Sequence, residues 1–149
     1  MAASAATARP RTTVAAEDYL EKIEQLISRK GYARVVDIAT ELEISQASVT
    51  AMVQRLDAEG FVKYEKYRGM VLTSSGLEVA RRIAHRHALL TDFLRAIGVA
   101  DEKVIYDDVE GMEHHISPET FRAIESLTRF LEKNPAVVAK AMGTTKNAK

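Results

Sequence analysis

The order of hydrophobic periods constrains this chain most. From Glu17 to Ala58 apolar residues recur at helical spacing in three successive stretches, from Phe61 to Thr73 the period changes to that of a strand, and from Ser74 helical spacing returns. In the first stretch Leu20, Ile23, Leu26 and Ile27 form the stripe, and Gly31 is its stop. A second helix is expected from about Val35 to Glu43. After "EIS", Ser45 is placed to cap a third, "QASVTAMVQRLDAE", whose Val49, Met52, Val53 and Leu56 face inward before Gly60. "FVKYEKYRGMVLT" then reads as two strands around a turn at Arg68-Gly69. Three helices and a hairpin predict a winged helix-turn-helix, in which the third helix enters a major groove and the hairpin touches the DNA backbone.

The second half is all helical. Thr73 or Ser74 caps a long helix through about Ile97, with Leu89, Leu90, Phe93, Leu94 and Ile97 as its stripe. "DEKVIYDDVEGMEHHI" supplies another helix, and "SPET" opens a last one with Ser117 as N-cap and Pro118 in the first turn. Phe121, Ile124, Leu127 and Leu131 stripe that helix, and so few elements complete a core best against a second copy, which predicts a homodimer. The expected class is mainly α: a winged helix-turn-helix domain and an all-helical dimerisation domain joined by a long shared helix. The expected divisions are a disordered N-terminal arm over 1–16, the DNA-binding domain over 17–73, the metal-binding and dimerisation domain over 74–133 with 74–88 as the linking helix, and a flexible tail over 134–149.

Charge and cysteine content narrow the chemistry. Twenty-one basic residues balance twenty-one acidic ones, so DNA contact must come from local geometry and not from bulk charge. The chain has no cysteine, which excludes disulfides, thiolate metal sites and cysteine nucleophiles. No apolar run is long enough to span a bilayer, and "MAASAATARPRTTVAA" lacks the apolar centre of a secretory signal, so no membrane partner is expected and a cytoplasmic protein is. A transit peptide is the alternative for that opening, and Arg9 and Arg11 are its candidate minor-groove or phosphate contacts.

"VEGMEHH", Val109 to His115, concentrates ligand-type residues in a chain with only four histidines. On a helix Glu110, Glu113 and His114 stand at i, i+3 and i+4 and leave from one face. That is metal-ligand spacing or a solvated helix face. Asp18 and Glu21, at i and i+3, point away from the Leu20/Ile23/Ile27 stripe, and His87 lies midway along the long helix; each of these alone is a surface or packing residue. Together three helices supply Asp18 and Glu21, then His87, then Glu110, Glu113 and His114. Four carboxylates repel one another unless protonated or neutralised, and two divalent cations balance them, so two ions per chain are expected. Carboxylate oxygen and imidazole nitrogen without thiolate favour Mn2+ or Fe2+ over copper or structural zinc, and the histidines argue against calcium or magnesium. Glu110 is the candidate bridging ligand, and His115 falls outside the cluster.

For DNA, Ser45, Gln46, Ala47, Ser48, Thr50 and Gln54 occupy the start and exposed face of the third helix, where small and amide side chains suit base edges and phosphates. Lys63, Lys66 and Arg68 decorate the wing. Helix-turn-helix patterns also arise in domains that never touch DNA, and the span from Ile44 to Arg68 carries only one more basic than acidic residue.

From Glu17 to Phe130, "EDYLEKI", "KGYARVVDIA", "SVTAMVQRLDAEGFVKYEKYRGMVLT", "RHALL", "FLRAIGV" and "DVEGMEHHIS" closely resemble the manganese-sensing branch of the diphtheria-toxin-repressor family of metal-dependent transcriptional regulators. The resemblance implies a repressor that dimerises through C-terminal helices, binds double-stranded operator DNA when its metal is plentiful, and shuts down manganese uptake genes. The family's ligands fall on Asp18, Glu21, His87, Glu110, Glu113 and His114. Iron-responsive members carry methionine and cysteine where this chain has Asp18 and Glu110, which favours manganese over an iron-responsive repressor. No enzyme is expected. Two other readings compete: a binuclear metal hydrolase, which needs an open coordination position and a catalytic base, and a winged-helix repressor that ignores metal and binds an organic ligand.

Overall fold

A computed structural model describes residues 12–65 and 69–143. The chain divides into two compact units, residues 1–80 and 81–149. In the first, helix α1 (Val14–Lys30) is followed by α2 (Val35–Glu41), α3 (Gln46–Ala58) and strands β1 (Val62–Glu65) and β2 (Gly69–Leu72). Helix α4 (Ser74–Ala96) starts in the first unit and ends in the second, which continues with α5 (Glu102–Met112), α6 (Pro118–Lys133) and α7 (Pro135–Ala141). Among the described residues no helix is long and apolar enough to cross a membrane.

Local chemistry sets the boundaries. The Thr13 side chain accepts the Ala16 N–H and fixes the start of α1, while Gly31 closes it by donating its N–H to the Ile27 carbonyl. The arm expected to run to residue 16 is therefore shorter, because Thr13 caps and Ala16 is buried in the core; residues 1–11, with Arg9 and Arg11, lie outside the described residues. Ser45 caps α3 by accepting the Ser48 N–H at 3.1 Å. The strands pair antiparallel with Val62 opposite Leu72 and Glu65 opposite Gly69. Ala33, between α1 and α2, accepts the Met70 N–H at 3.1 Å and ties the hairpin to the helices. Gly69 has φ +76°, and a Cβ there would sit 2.6 Å from the Ala33 carbonyl oxygen, so both its conformation and this close approach require glycine.

The core of the first unit gathers Leu20, Ile23, Leu26, Ile38, Val49, Leu56, Phe61, Val62, Met70 and Val79, all buried, one set from each element. Thr73 couples the wing to α4: its hydroxyl donates to the Gly60 carbonyl at 2.7 Å and accepts the Gly76 N–H at 3.1 Å. The α4 start is thereby anchored to the hairpin's own unit.

The core of the second unit is small. Leu90, Leu94, Ile105 and Val109 are buried, with Phe93, Ile97, Met112, Ile116 and Ile124 packed around them. Two sequence expectations change here. Of the segment over 134–149 read as a flexible tail, Pro135–Ala141 folds as α7 and residues 144–149 lie outside the described residues: proline at the first position of a helix loses no hydrogen bond, and Val138 and Ala139 line a surface groove with Leu131 of α6 and Ala96 of α4. The helix read through "MEHHI" ends at Met112, with Glu113 in helical geometry at the C-cap and His114 in the turn beyond.

Candidate metal centre and nucleic-acid surface

The end of α5 faces the middle of α4. His87 Nδ1 lies 3.1 Å from Glu113 Oε2 and 3.4 Å from Glu110 Oε1. One ligand atom from each of these residues falls within 4.8 Å of the others, close enough for one cation. His114 extends the group, with Nε2 3.4 Å from Glu113 Oε1. The set grades from exposed to dry: the Glu110 side chain is 42% accessible, His87 27%, His114 4% and Glu113 1%. The His87 ring also stands 6.0 Å from that of Tyr106, one turn before Glu110.

Two features of this arrangement fit a cation. Among the described residues Glu113 Oε1 is buried without a hydrogen-bond partner, an expensive state for a carboxyl oxygen unless another ligand serves it. Glu110 and Glu113 also sit at the C-terminal end of α5, where the helix dipole disfavours negative charge and a bound cation offsets both penalties. Hard oxygens and imidazole nitrogens suit manganese or ferrous iron.

The structure thus brings together His87, Glu110, Glu113 and His114 of the six expected ligands. Asp18 and Glu21 stand half-buried, three residues apart on α1 of the first unit. His115 is exposed. Sequence reading missed Arg86, whose guanidinium donates at 2.8 Å to the main-chain carbonyls of both Glu113 and Ile116. A cation beside a histidine on a helix gives no local sign of such a reach.

The expected DNA-reading side chains lie on the open face of α3. Ser45, Gln46, Ala47, Ser48, Thr50 and Gln54 are all exposed, and Lys63 is exposed on β1. Some of these groups already have bonds within the helix: the Ser45 hydroxyl caps it and meets the Ser48 hydroxyl at 2.9 Å, and Thr50 donates to the Gln46 carbonyl at 2.9 Å. Gln46 and Gln54 bring amides suited to bidentate base contacts. Lys66 and Arg68 fall outside the described residues. Arg34, at the entrance to α2, lies over the Tyr32 ring at 4.5 Å and lines a groove with Gln46 and the wing residue Tyr64, a neighbour of the reading face that the sequence did not flag.

A helix-turn-helix with a wing, followed by a helical unit carrying an oxygen and nitrogen ligand cluster, defines a metal-dependent DNA-binding regulator. Comparison with known proteins agrees. Residues 11–70 match the family described as iron dependent repressor, N-terminal DNA binding domain, and residues 73–138 match its metal binding and dimerisation domain. The chain belongs to the iron-dependent-repressor family of transcriptional regulators. It is 52% identical over 125 residues to the HTH-type transcriptional regulator MntR of Bacillus subtilis, spanning 84% of this chain and 87% of that one. It is 51% identical over 136 residues to the protein of that name from Listeria welshimeri, spanning 90% and 95%. Among solved structures the manganese regulator SloR is similar with a TM-score of 0.69 and 27% identity, covering 77% of this chain and 54% of that one. The chain therefore spans about half of SloR.

Proposed function

We propose that this chain is a manganese-responsive repressor that binds operator DNA as a homodimer when Mn2+ is plentiful and shuts down manganese uptake genes, acting in the cytoplasm. The observation that carries the metal reading is the dry Glu113 carboxyl, with one oxygen near His87 and the other without a hydrogen-bond partner among the described residues. Two ions per chain are proposed, held by His87, Glu110, Glu113 and His114 with Asp18 and Glu21 of the DNA-binding unit completing the set. Bound metal supplies positive charge that relieves carboxylate repulsion. With ligands drawn from both units, a complete set restrains the DNA-reading helices. The two recognition helices of a dimer must then stand about 34 Å apart to read successive major grooves. Restraint removes the loss of apparent affinity that DNA incurs when it must select a rare competent arrangement.

Manganese is preferred to iron because the donor set has no thiolate and the similar structure SloR is a manganese regulator. Titrating metal-stripped protein with Mn2+, with free ion followed by electron paramagnetic resonance, tests the centre in wild type and Glu110→Ala. Two ions per chain, with at least one lost in the variant, are expected. The same titration read by operator-DNA anisotropy, with Mn2+, Fe2+ and chelator, tests the response. Equal operator affinity with chelator and with Mn2+ would overturn the proposal.

A further inference from the structure

The connection from α5 to α6, residues 113–117, carries two of the proposed ligands. The last carbonyls of a helix have no partner within it. Met112 O accepts the His115 N–H at 3.0 Å, which leaves the carbonyls of Glu113 and Ile116 to be served from elsewhere. Both are served by one residue of α4: Arg86 Nη1 donates to Glu113 O and Nη2 to Ile116 O, each at 2.8 Å. The same guanidinium lies over the Phe121 ring of α6 at 5.5 Å. Ile116 immediately precedes Ser117, whose side chain accepts the Thr120 N–H and starts α6. Arg86 therefore pins the connection at both ends, with His114 held between the pinned carbonyls.

The next residue on α4 completes the picture. His87 Nδ1 meets the side chain of Glu113 while Arg86 holds its main chain, so adjacent residues of one helix fix both the backbone and the carboxyl of the same ligand. A planar guanidinium can serve two carbonyls at once, whereas an ammonium is a point donor and cannot span them with fixed geometry.

We propose that Arg86 is a positioning residue for the metal centre: it touches no metal and sets the approach of Glu113 and His114 by clamping the backbone on either side of them. This inference rests on the metal reading above. Groups that orient ligands from behind typically alter metal affinity by about 10- to 100-fold when removed.

The test uses the full chain as wild type, Arg86→Lys and Arg86→Gln, with Arg95→Gln as comparator, since Arg95 pairs with the exposed Glu102 and lies outside the cluster. Mn2+ affinity and the line shape of bound Mn2+ are read by electron paramagnetic resonance, and amide exchange is read in metal-free protein. Both Arg86 variants are expected to bind Mn2+ about 10- to 100-fold more weakly, with a broadened bound-ion signal and faster exchange confined to His114, His115 and Ile116. Arg95→Gln is expected to match wild type in Mn2+ affinity and line shape. If Arg86→Gln fails to fold, Arg86→Lys, which keeps the charge and most of the stem, carries the comparison. An Arg86→Lys variant with wild-type affinity and line shape overturns the proposal. So does weakened binding accompanied by faster exchange throughout the second unit, which would make Arg86 a general stabiliser. A wild type that binds no Mn2+ overturns the metal reading, and the clamp's role with it.

Discussion

At the residue scale the metal reading turns on Glu113. Its carboxyl is 1% accessible and one oxygen lacks a hydrogen-bond partner among the described residues, a state that costs about 1–3 kcal/mol. Glu113→Gln keeps the volume, so the metal-free chain should fold and melt much as wild type. The difference should appear on adding Mn2+. At about 100 times the dissociation constant, wild type should gain roughly 2.7 kcal/mol from binding the folded state alone. Thermal melts with and without Mn2+ should show a rise in wild type and none in Glu113→Gln; an equal rise in both would remove Glu113 from the centre. A second carboxyl shows the opposite behaviour. Two hydrogen bonds from Arg95, at 3.1 and 2.7 Å, hold the exposed Glu102 below its ordinary pKa. A depressed folded-state pKa contributes stability that is present above the unfolded value and is lost as pH falls through the folded one. Arg95→Gln should therefore melt below wild type near neutrality and converge on it as pH falls through the lowered Glu102 pKa, beneath the ordinary carboxylate range. A constant gap between the two melts across that range would show that the pair is not its source.

At the scale of elements, the helix-turn-helix unit was the most legible because each boundary has a local cause. Ser45 caps α3, Gly31 closes α1, and the change of period at Phe61 marks the wing. The second unit was less legible. Pro135 reads as a terminator but begins α7, since proline fits the first turn of a helix as well as it ends the previous one. Nothing in "EGMEHH" marks Met112 as the last helical residue. The candidate ligands of α5 were legible as residue types at helical spacing; their approach to His87 was not, because it depends on packing between residues more than twenty positions apart. Arg86 was missed for the same reason. Gly76 carries a tertiary constraint of this kind: a Cβ there would lie 2.0 Å from the Phe61 carbonyl oxygen, so α4 touches the backbone leading into β1. Gly76→Ala should destabilise the first unit by about 1–3 kcal/mol through forced backbone shifts, lowering the denaturant midpoint, whereas an unchanged midpoint would mean the contact is loose. The reading helix and wing make separable predictions. Gln54→Ala should weaken operator binding most at the base pairs it faces, by about 1–3 kcal/mol. Lys63→Ala should weaken all sequences alike and reduce the salt slope by about one. Anisotropy titrations across salt and site variants distinguish the two, and identical losses on operator and random DNA for Gln54→Ala would take it off the base edges.

At the scale of the whole molecule, the helical unit leaves large apolar side chains open on α5 and α6. On α6 only Thr128 is buried, while Leu127 and Phe130, three residues apart on one face, are 46% and 52% exposed. Val104 and Tyr106 of α5 are exposed as well. The family match to a dimerisation domain over residues 73–138 predicts that this open surface meets a second copy, and the α6 face carrying Leu127 and Phe130 is where the prediction is tested. An isologous contact places each patch against its own image, so one substitution acts twice in the dimer. Phe130→Glu would set two carboxylates in an apolar interface and should leave a monomer in light-scattering chromatography. The cluster of His87, Glu110 and Glu113 comes from one chain, so the monomer should still bind Mn2+ there. Operator binding should nevertheless fall by about 10²- to 10⁴-fold, because the second half-site no longer gains from the first. Separating the two readouts is what makes the prediction sharp: lost DNA affinity with retained metal binding assigns α6 to assembly, whereas a Phe130→Glu protein that remains dimeric places the interface on another face.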